Sequence, residues 1–219
     1  GEFHCVQANP VQNMKRADRR RSAVMAACML LVCRADAFAL NSSLDVSQYG
    51  HTSWKVSEGF SKGFIRSIAQ TADGYLWLGT EFGLLRFDGV RAVPWEPPAG
   101  QHLPSSDIRS LQGARDGRLW IGTFNGLASW KHRELTRYPE LDGQTIEALL
   151  EDREGTIWVA GWAPSTGRLC SIQNGNIQCY GEDGRFGNEG TALHEDREGN
   201  LWAEGRTGLW RWKPGPPRL

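Results

Sequence analysis

Between residues 65 and 89 the chain alternates short apolar runs with turn residues: Ile-Arg-Ser-Ile-Ala-Gln, then Thr-Ala-Asp-Gly, then Tyr-Leu-Trp-Leu-Gly-Thr, then Glu-Phe-Gly, then Leu-Leu-Arg-Phe-Asp-Gly. Runs of this length bounded by Gly, Asp and Asn are strand signals, so the pattern predicts strands over 65–70, 75–80 and 84–88. Its centre recurs as Asp116-Gly-Arg-Leu-Trp-Ile-Gly-Thr123, as Glu154-Gly-Thr-Ile-Trp-Val159 and as Glu198-Gly-Asn-Leu-Trp-Ala203. Aligned on Trp77, Trp120, Trp158 and Trp202, the repeats are spaced by 43, 38 and 44 residues. That period suits a four-stranded propeller blade and exceeds leucine-rich and ankyrin units.

The remaining strands of each unit fall at 91–96 and 135–139, and at 169–172 and 177–180 in the third repeat. The Asp-Gly and Glu-Gly pairs at 73, 116, 154 and 198 make the first turn of each unit, with Gly admitting positive φ. Apolar residues on both sides of each Trp predict a strand covered on both faces, the indole packing on the next blade. Gly79 and Gly122 would let blades approach closely. The fold class is therefore all-β, a β-propeller of four-stranded antiparallel blades over 64–107, 108–145, 146–190 and an incomplete 191–219. A lead-in over 40–63 contains a single expected strand at 52–57, with Trp54 and Val56 on one face. The chain stops at Leu219, after the third strand of the fourth repeat. An N-terminal fragment with an open ring is expected; four blades closed by the strand at 52–57 are the other arithmetic.

The chain's 25 basic and 25 acidic side chains balance, but six basic groups against three acidic ones lie in the first 39 residues. The body is mildly acidic and has no electrostatic footprint for nucleic acid. From Met14 a Lys-Arg-Ala-Asp-Arg-Arg-Arg run precedes an apolar stretch and Ala37-Phe38-Ala39, the three parts of a secretory signal peptide. The expectation is a signal over 14–39, cleaved between Ala39 and Leu40, with residues 1–13 upstream of the start. Export leaves two cysteines, Cys170 and Cys179, flanking Asn174-Gly175. Asn-Gly between apolar runs signals a two-residue hairpin, and counting outward sets Cys170 opposite Cys179 at a closely spaced pair. An oxidising compartment makes this a disulfide; opposed free thiols are the alternative.

The stretch 65–89, with its three echoes and the Tyr49-Gly-His-Thr-Ser-Trp54 lead-in, resembles the two-component regulator propeller repeat over about residues 48–216. That resemblance implies the extracytoplasmic, ligand-sensing region of a bacterial histidine kinase. It further implies seven-bladed propellers, often in tandem, then a β-sandwich, a membrane helix and a cytoplasmic kinase. Membrane attachment would come only through those downstream segments, and a homodimer of the full receptor is among the expectations.

No catalytic constellation is legible, since His51, His102, His132 and His194 fall singly and calcium-type Asp runs are absent. Neither cofactor nor metal is expected, and the chain is read as no enzyme in itself. A secreted propeller enzyme such as a lyase or lactonase would need a His/Glu or metal cluster. A protein-interaction scaffold would need exposed apolar patches. Topology puts the uniform Asp-Gly turns on one face and the variable loops on the other. On the variable face Glu81, Phe82, Phe124, Asn125, Trp162 and Arg206 form loop tips, and Arg66 and Arg109 occupy equivalent inner-strand positions with Glu147 and Thr191. Aromatic, amide and charged tips suit a small polar ligand such as a sugar.

Overall fold

The computed structural model describes Asp45, Gly50 and residues 52–162, 168–181, 186–187 and 189–212. The chain divides into two units, Gly1–Thr52 and Ser53–Leu219, and every described strand belongs to the second. The expected signal segment with its Ala39–Leu40 boundary lies outside the described residues, as does the loop after Trp162.

Four antiparallel sheets follow in sequence order. Sheet 1 holds β1 (Ile65–Gln70), β2 (Leu76–Thr80), β3 (Gly83–Phe87) and β4 (Ala92–Trp95). Sheet 2 holds β5 (Ile108–Gly113), β6 (Leu119–Thr123), β7 (Gly126–Lys131) and β8 (Glu134–Tyr138). Sheet 3 holds β9 (Thr145–Glu151), β10 (Ile157–Trp162), β11 (Arg168–Gln173) and β12 (Asn176–Tyr180). Sheet 4 has β13 (Leu193–Glu195), β14 (Leu201–Gly205) and β15 (Gly208–Trp212) among the described residues. In each sheet neighbouring strands are consecutive in sequence, and β1, β5 and β9 lie side by side as inner strands. This is the blade plan that the tryptophan period demands.

Burial explains why these segments become strands. β6 is buried along its whole length and β2 over all but its first residue, as strands sandwiched between two sheets must be. Trp77 joins Ile108, Leu111, Leu119 and Ile121 of the next sheet in one core. Trp120 does the same with Ile146, Ile157 and Val159. Two residues after the tryptophan, Gly79 and Gly122 leave room for a neighbour's isoleucine. A Cβ there would come within 2.7 Å of Ile108 Cγ2 and 2.8 Å of Ile146 Cγ2, respectively. Between sheets 3 and 4 the sizes are exchanged. Ala160 stands in the small position and Gly190 in that of the isoleucine, and the fully buried Phe186 ring fills the space. Core volume is conserved by a swap of partners.

In sheets 1, 3 and 4 the first turn also supports the indole. Six residues ahead of the tryptophan, Thr71, Asp152 and Asp196 accept its N–H at 2.9, 2.8 and 2.7 Å. The corresponding residue in sheet 2 is Ala114, and there Trp120 stacks on Tyr138 at 5.1 Å. At Asp196 burial raises the carboxyl's pKa, but hydrogen bonds from Trp202, from the Asn200 side chain and from the Asn200 and Glu198 amides outweigh it. The net effect holds the group well below the usual aspartate range.

The β11–β12 hairpin has the expected register, with Ile172 opposite Ile177 and Cys170 opposite Cys179. Asn174 and Gly175 both have positive φ, and the two cysteines form a disulfide with a Cα separation of 4.0 Å. The expected strand at 52–57 is not formed. Residues 53–55 have no regular structure and Val56–Glu58 is a 3-10 turn. The reason lies in its aromatics: Trp54 packs edge-on to Phe87 at 5.0 Å, and Phe60 does so at 5.5 Å. The lead-in covers the outer part of sheet 1 with side chains and adds no hydrogen-bonded strand.

Candidate functional site

The inner strands share one irregularity, and it falls on the residues that the sequence singled out. In β1 the pairing with β2 steps from Ile65–Thr80 to Ser67–Gly79, which leaves Arg66 as an extra residue. In β5 it steps from Ile108–Thr123 to Ser110–Gly122 and leaves Arg109. In β9 it steps past Glu147 between Ile146 and Ala148. A bulge re-aims the extra side chain, so three successive sheets turn an Arg, an Arg and a Glu out of the ladder at one level. Thr191, the corresponding residue of sheet 4, lies ahead of β13 and donates from N–H and Oγ1 to Glu204 at 3.1 and 2.5 Å.

These groups form a chain of alternating charge. Arg66 donates to Glu81 at 3.3 Å and lies 3.6 Å from Asp107. Arg109 donates to Asp107 at 2.9 Å and lies 3.5 Å from Glu147. The half-exposed Phe124 ring lies 5.3 Å beneath the Arg109 guanidinium. Its backbone N–H donates to the Asp107 carbonyl and its carbonyl accepts from Thr145 Oγ1, both at 2.9 Å. Two atoms of this chain, Asp107 Oδ1 and Arg109 Nε, are buried without a hydrogen-bond partner. Asp107 Oδ1 faces Arg66 Nε at 3.6 Å, just beyond hydrogen-bond reach, so the polar groups of the ladder are incompletely met.

The structure thus brings together Arg66, Glu81, Arg109 and Phe124 and adds Asp107, which the sequence marked only as the end of the first expected blade, 64–107. Asn125 donates its N–H to Thr123 and so holds the β6–β7 turn. Phe82 stands beside Glu81 over Gly63. Trp162 ends β10 opposite Thr145, and its partly exposed indole makes no hydrogen bond or ring contact among the described residues. Arg206 pairs with Glu189 at 3.5 Å and is not joined to the ladder. Among the described residues no three His, Cys, Asp or Glu side chains gather as a metal would need. No helix there is long and apolar enough to cross a membrane.

Larger grooves open on the opposite, Asp-Gly side. One of about 1100 Å³ lies between sheets 2 and 3, bordered by Arg118, Tyr138 and Ile177. Others of about 500 and 270 Å³ lie at the same level between sheets 3 and 4 and between sheets 1 and 2. Recurrence at each junction marks them as gaps where outer strands flare apart. Their charged walls are largely self-paired, as in Lys131–Asp116 and Arg115–Glu151.

Three stretches, residues 59–82, 102–125 and 140–163, match the family model described as Two component regulator propeller. The chain carries two component regulator propeller repeats. Each matched stretch of this regulator propeller runs from a link through the bulged inner strand and the tryptophan strand to the next turn, so all the ladder residues lie within them. No curated protein sequence matches the chain at a significant level.

Solved structures share the fold of these regulator propeller repeats. The extracellular domain of BT4673 from B. thetaiotaomicron, described as a one component and also as a hybrid two component system, is 22% identical with a TM-score of 0.58. The match covers 70% of this chain and 22% of that one, so the chain spans under a quarter of that domain. Virginiamycin B lyase from Staphylococcus aureus is 15% identical over 72% of this chain and 55% of its own, with a TM-score of 0.54. YCF48 bound to D1 peptide is 15% identical over 72% and 53%, with a TM-score of 0.53. At these identities the likeness is one of fold.

Proposed function

We propose that this propeller is the exported, ligand-sensing part of a two-component receptor with a histidine kinase output, and that it binds a small polar ligand at the bulge ladder. The observation that carries the site is the triple bulge, which turns Arg66, Arg109 and Glu147 to one level in consecutive sheets. The repeat family and the resemblance to the BT4673 extracellular domain support the receptor context. Export agrees with the disulfide, since such bonds persist in oxidising compartments.

The chemistry of the ladder favours a neutral, hydroxyl-rich ligand such as a sugar. Its two guanidinium groups stand against three carboxylates, Glu81, Asp107 and Glu147, so no excess positive charge draws an anion. Hydroxyl groups both donate and accept and can bridge an Asp and an Arg, while Phe124 offers a partly exposed apolar ring for stacking. Phe82, Trp162, Asn125 and Arg206 take part as a rim around this centre. The propeller binds and does not catalyse; its output passes through downstream segments, with homodimerisation as the coupling.

The test is ligand-dependent phosphorylation of the full receptor across a panel of neutral saccharides. Arg109→Ala with Phe124→Ala should abolish the response while leaving folding intact, and joint substitution of Phe82, Phe124 and Trp162 should weaken it at least tenfold. A response unchanged by both sets sinks the site. Turnover of an added lactone or other substrate by the purified propeller would favour an enzyme.

A further inference from the structure

In sheets 3 and 4 a single turn carboxylate gathers three N–H donors. Asp152 accepts from the backbone amides of Glu154 and Thr156, each at 2.9 Å, and from Trp158 Nε1 at 2.8 Å. Asp196 does the same for Glu198, Asn200 and Trp202, at 3.0, 2.8 and 2.7 Å. Sheet 2 makes this turn with the same backbone. The Ala114 N–H donates to the Arg118 carbonyl at 2.7 Å, and the Gly117 N–H donates to the Ala114 carbonyl at 2.9 Å. The matching two bonds close the turns at Asp152 and Asp196, all at 3.0 Å. The donors therefore converge on one place in all three turns, but in sheet 2 an alanine stands where the acceptor belongs.

Two of those three donors are left over. The Arg118 amide turns to Asp116 Oδ1 at 2.9 Å. The Asp116 amide and Trp120 Nε1 have no hydrogen bond among the described residues, although only 6% of Trp120 is exposed. Ala114 and Trp120 both line the groove of about 1100 Å³ between sheets 2 and 3, so the acceptor position opens onto it. Unmet donors set this groove apart from its neighbours, where Thr71 and Asp152 already hold the indole. Local charge favours an anion there. Lys131 Nζ lies 2.9 Å and Arg118 Nε 3.6 Å from Asp116, which puts two cations on one carboxylate. Glu134, Glu140 and Glu154 border the same groove, so a polyanion would be repelled. Ile157, Ile172 and Ile177 of sheet 3 supply an apolar wall.

We propose that the turn at residues 114–118, with Trp120, is a binding site for a small organic monocarboxylate. The ligand's carboxyl group takes the place that the Asp152 and Asp196 side chains hold in sheets 3 and 4. Its oxygens accept from the Asp116 amide and from Trp120 Nε1, and Arg118 and Lys131 balance its charge. Its apolar remainder lies against the isoleucine wall. Hydrogen bonds to an ionised acceptor are about twice as strong as neutral ones, so the site prefers an acid anion to the corresponding amide. It lies on the Asp-Gly side and is independent of whatever the bulge ladder binds.

The test follows the indole N–H signals of Trp77, Trp120, Trp158 and Trp202 by heteronuclear NMR while the chain is titrated with sodium acetate or sodium benzoate. Acetamide, benzamide and sodium chloride at matched ionic strength are the controls. Either acid anion should shift the Trp120 indole and Asp116 amide signals and leave the other three indoles in place. The amides should bind about tenfold more weakly, the scale of one charge-assisted bond, and chloride should shift nothing. Ala114→Asp supplies the acceptor of sheets 3 and 4, and Ala114→Thr supplies that of sheet 1. Each should raise the melting temperature and abolish the acetate shift. The threonine variant keeps the test sound if a second carboxylate beside Asp116 disturbs the turn. A Trp120 signal that ignores both acids, acid binding that survives both variants, or equal binding of acid and amide overturns the proposal.

Discussion

The junction between sheets 1 and 2 and that between sheets 3 and 4 obey one backbone plan with different side chains. At the first, Gly79 faces Ile108, Trp77, Trp95 and Trp130 run edge to face at 6.1 and 5.0 Å, and the outer rim closes by backbone approach at Gly113. At the second, Ala160 faces Gly190, Phe186 fills the gap, and the rim closes through a clasp in which Arg153 donates to Glu195. Arg115 does the same to Glu151 between sheets 2 and 3. At the first junction the corresponding positions hold Ala72 and Gly113. The buried layer is a fixed volume that different residue pairs can fill, whereas the rim accepts either contact or charge. Apolar packing sets the junction and polar closure is optional, in line with the small worth of exposed ion pairs.

The sharpest way to break the comparison is to move the clasp to the junction that lacks it. Ala72→Arg with Gly113→Glu should destabilise the chain by about 3 kcal/mol in urea unfolding, since overpacking a tight site costs on this order. A Cβ at position 113 would sit 2.1 Å from the Gln70 carbonyl oxygen, so the new ion pair cannot form without parting the sheets. A neutral or stabilising outcome would show that Gly113 is not what holds them together.

The exchanged core should prove at least as sensitive. Phe186→Ala should cost about 3–5 kcal/mol, as for other buried aromatics, because the ring is fully buried. Adding Gly190→Ile to that variant should recover part of the loss by restoring the arrangement of the other junctions. Gly190→Ile alone should destabilise, since its Cβ would meet the Phe186 ring at 2.9 Å. Thermal melts of the three variants decide whether the two residues share one volume.

Much of this was legible beforehand, and the failures have physical causes. The Trp and Asp-Gly repeat marked the strands because each does a local job, covering a face or making a turn. The disulfide was legible because Asn174-Gly175 fixes the register by itself. The lead-in was misread because alternation around Trp54 looks the same whether its side chains pack on a strand or line one. The β7–β8 turn gave no signal, being built on His132 and Arg133, both with positive φ, which are not turn residues by type. Asp107 and the clasp were missed since their partners lie in neighbouring repeats, as with Arg153 and Glu195. Only a comparison of columns across repeats would pair them.

The clasp itself should be worth less than the core it borders. Arg153→Ala is expected to cost about 1 kcal/mol, because its half-exposed guanidinium is screened by water and salt even though Glu195 is mostly covered. The loss should shrink in concentrated salt, and Ala72→Arg alone should do nothing.

The smallest effect distinguishes the sheets by pH. Asp196 supports Trp202 as a carboxylate held well below the usual aspartate range, whereas sheets 1 and 2 have the non-titrating Thr71 and Ala114 at that place. A group with a depressed folded pKa contributes stability that is fully present above its unfolded value, about 3.9, and is lost as pH falls towards the folded one. Amide exchange in β14 should therefore lose protection on acidification below about pH 4, before β2 and β6 do. Asp196→Asn, which keeps an acceptor for the indole and removes the titration, should flatten that dependence. If β14 keeps its full acid sensitivity in this variant, Asp196 is not the source of it.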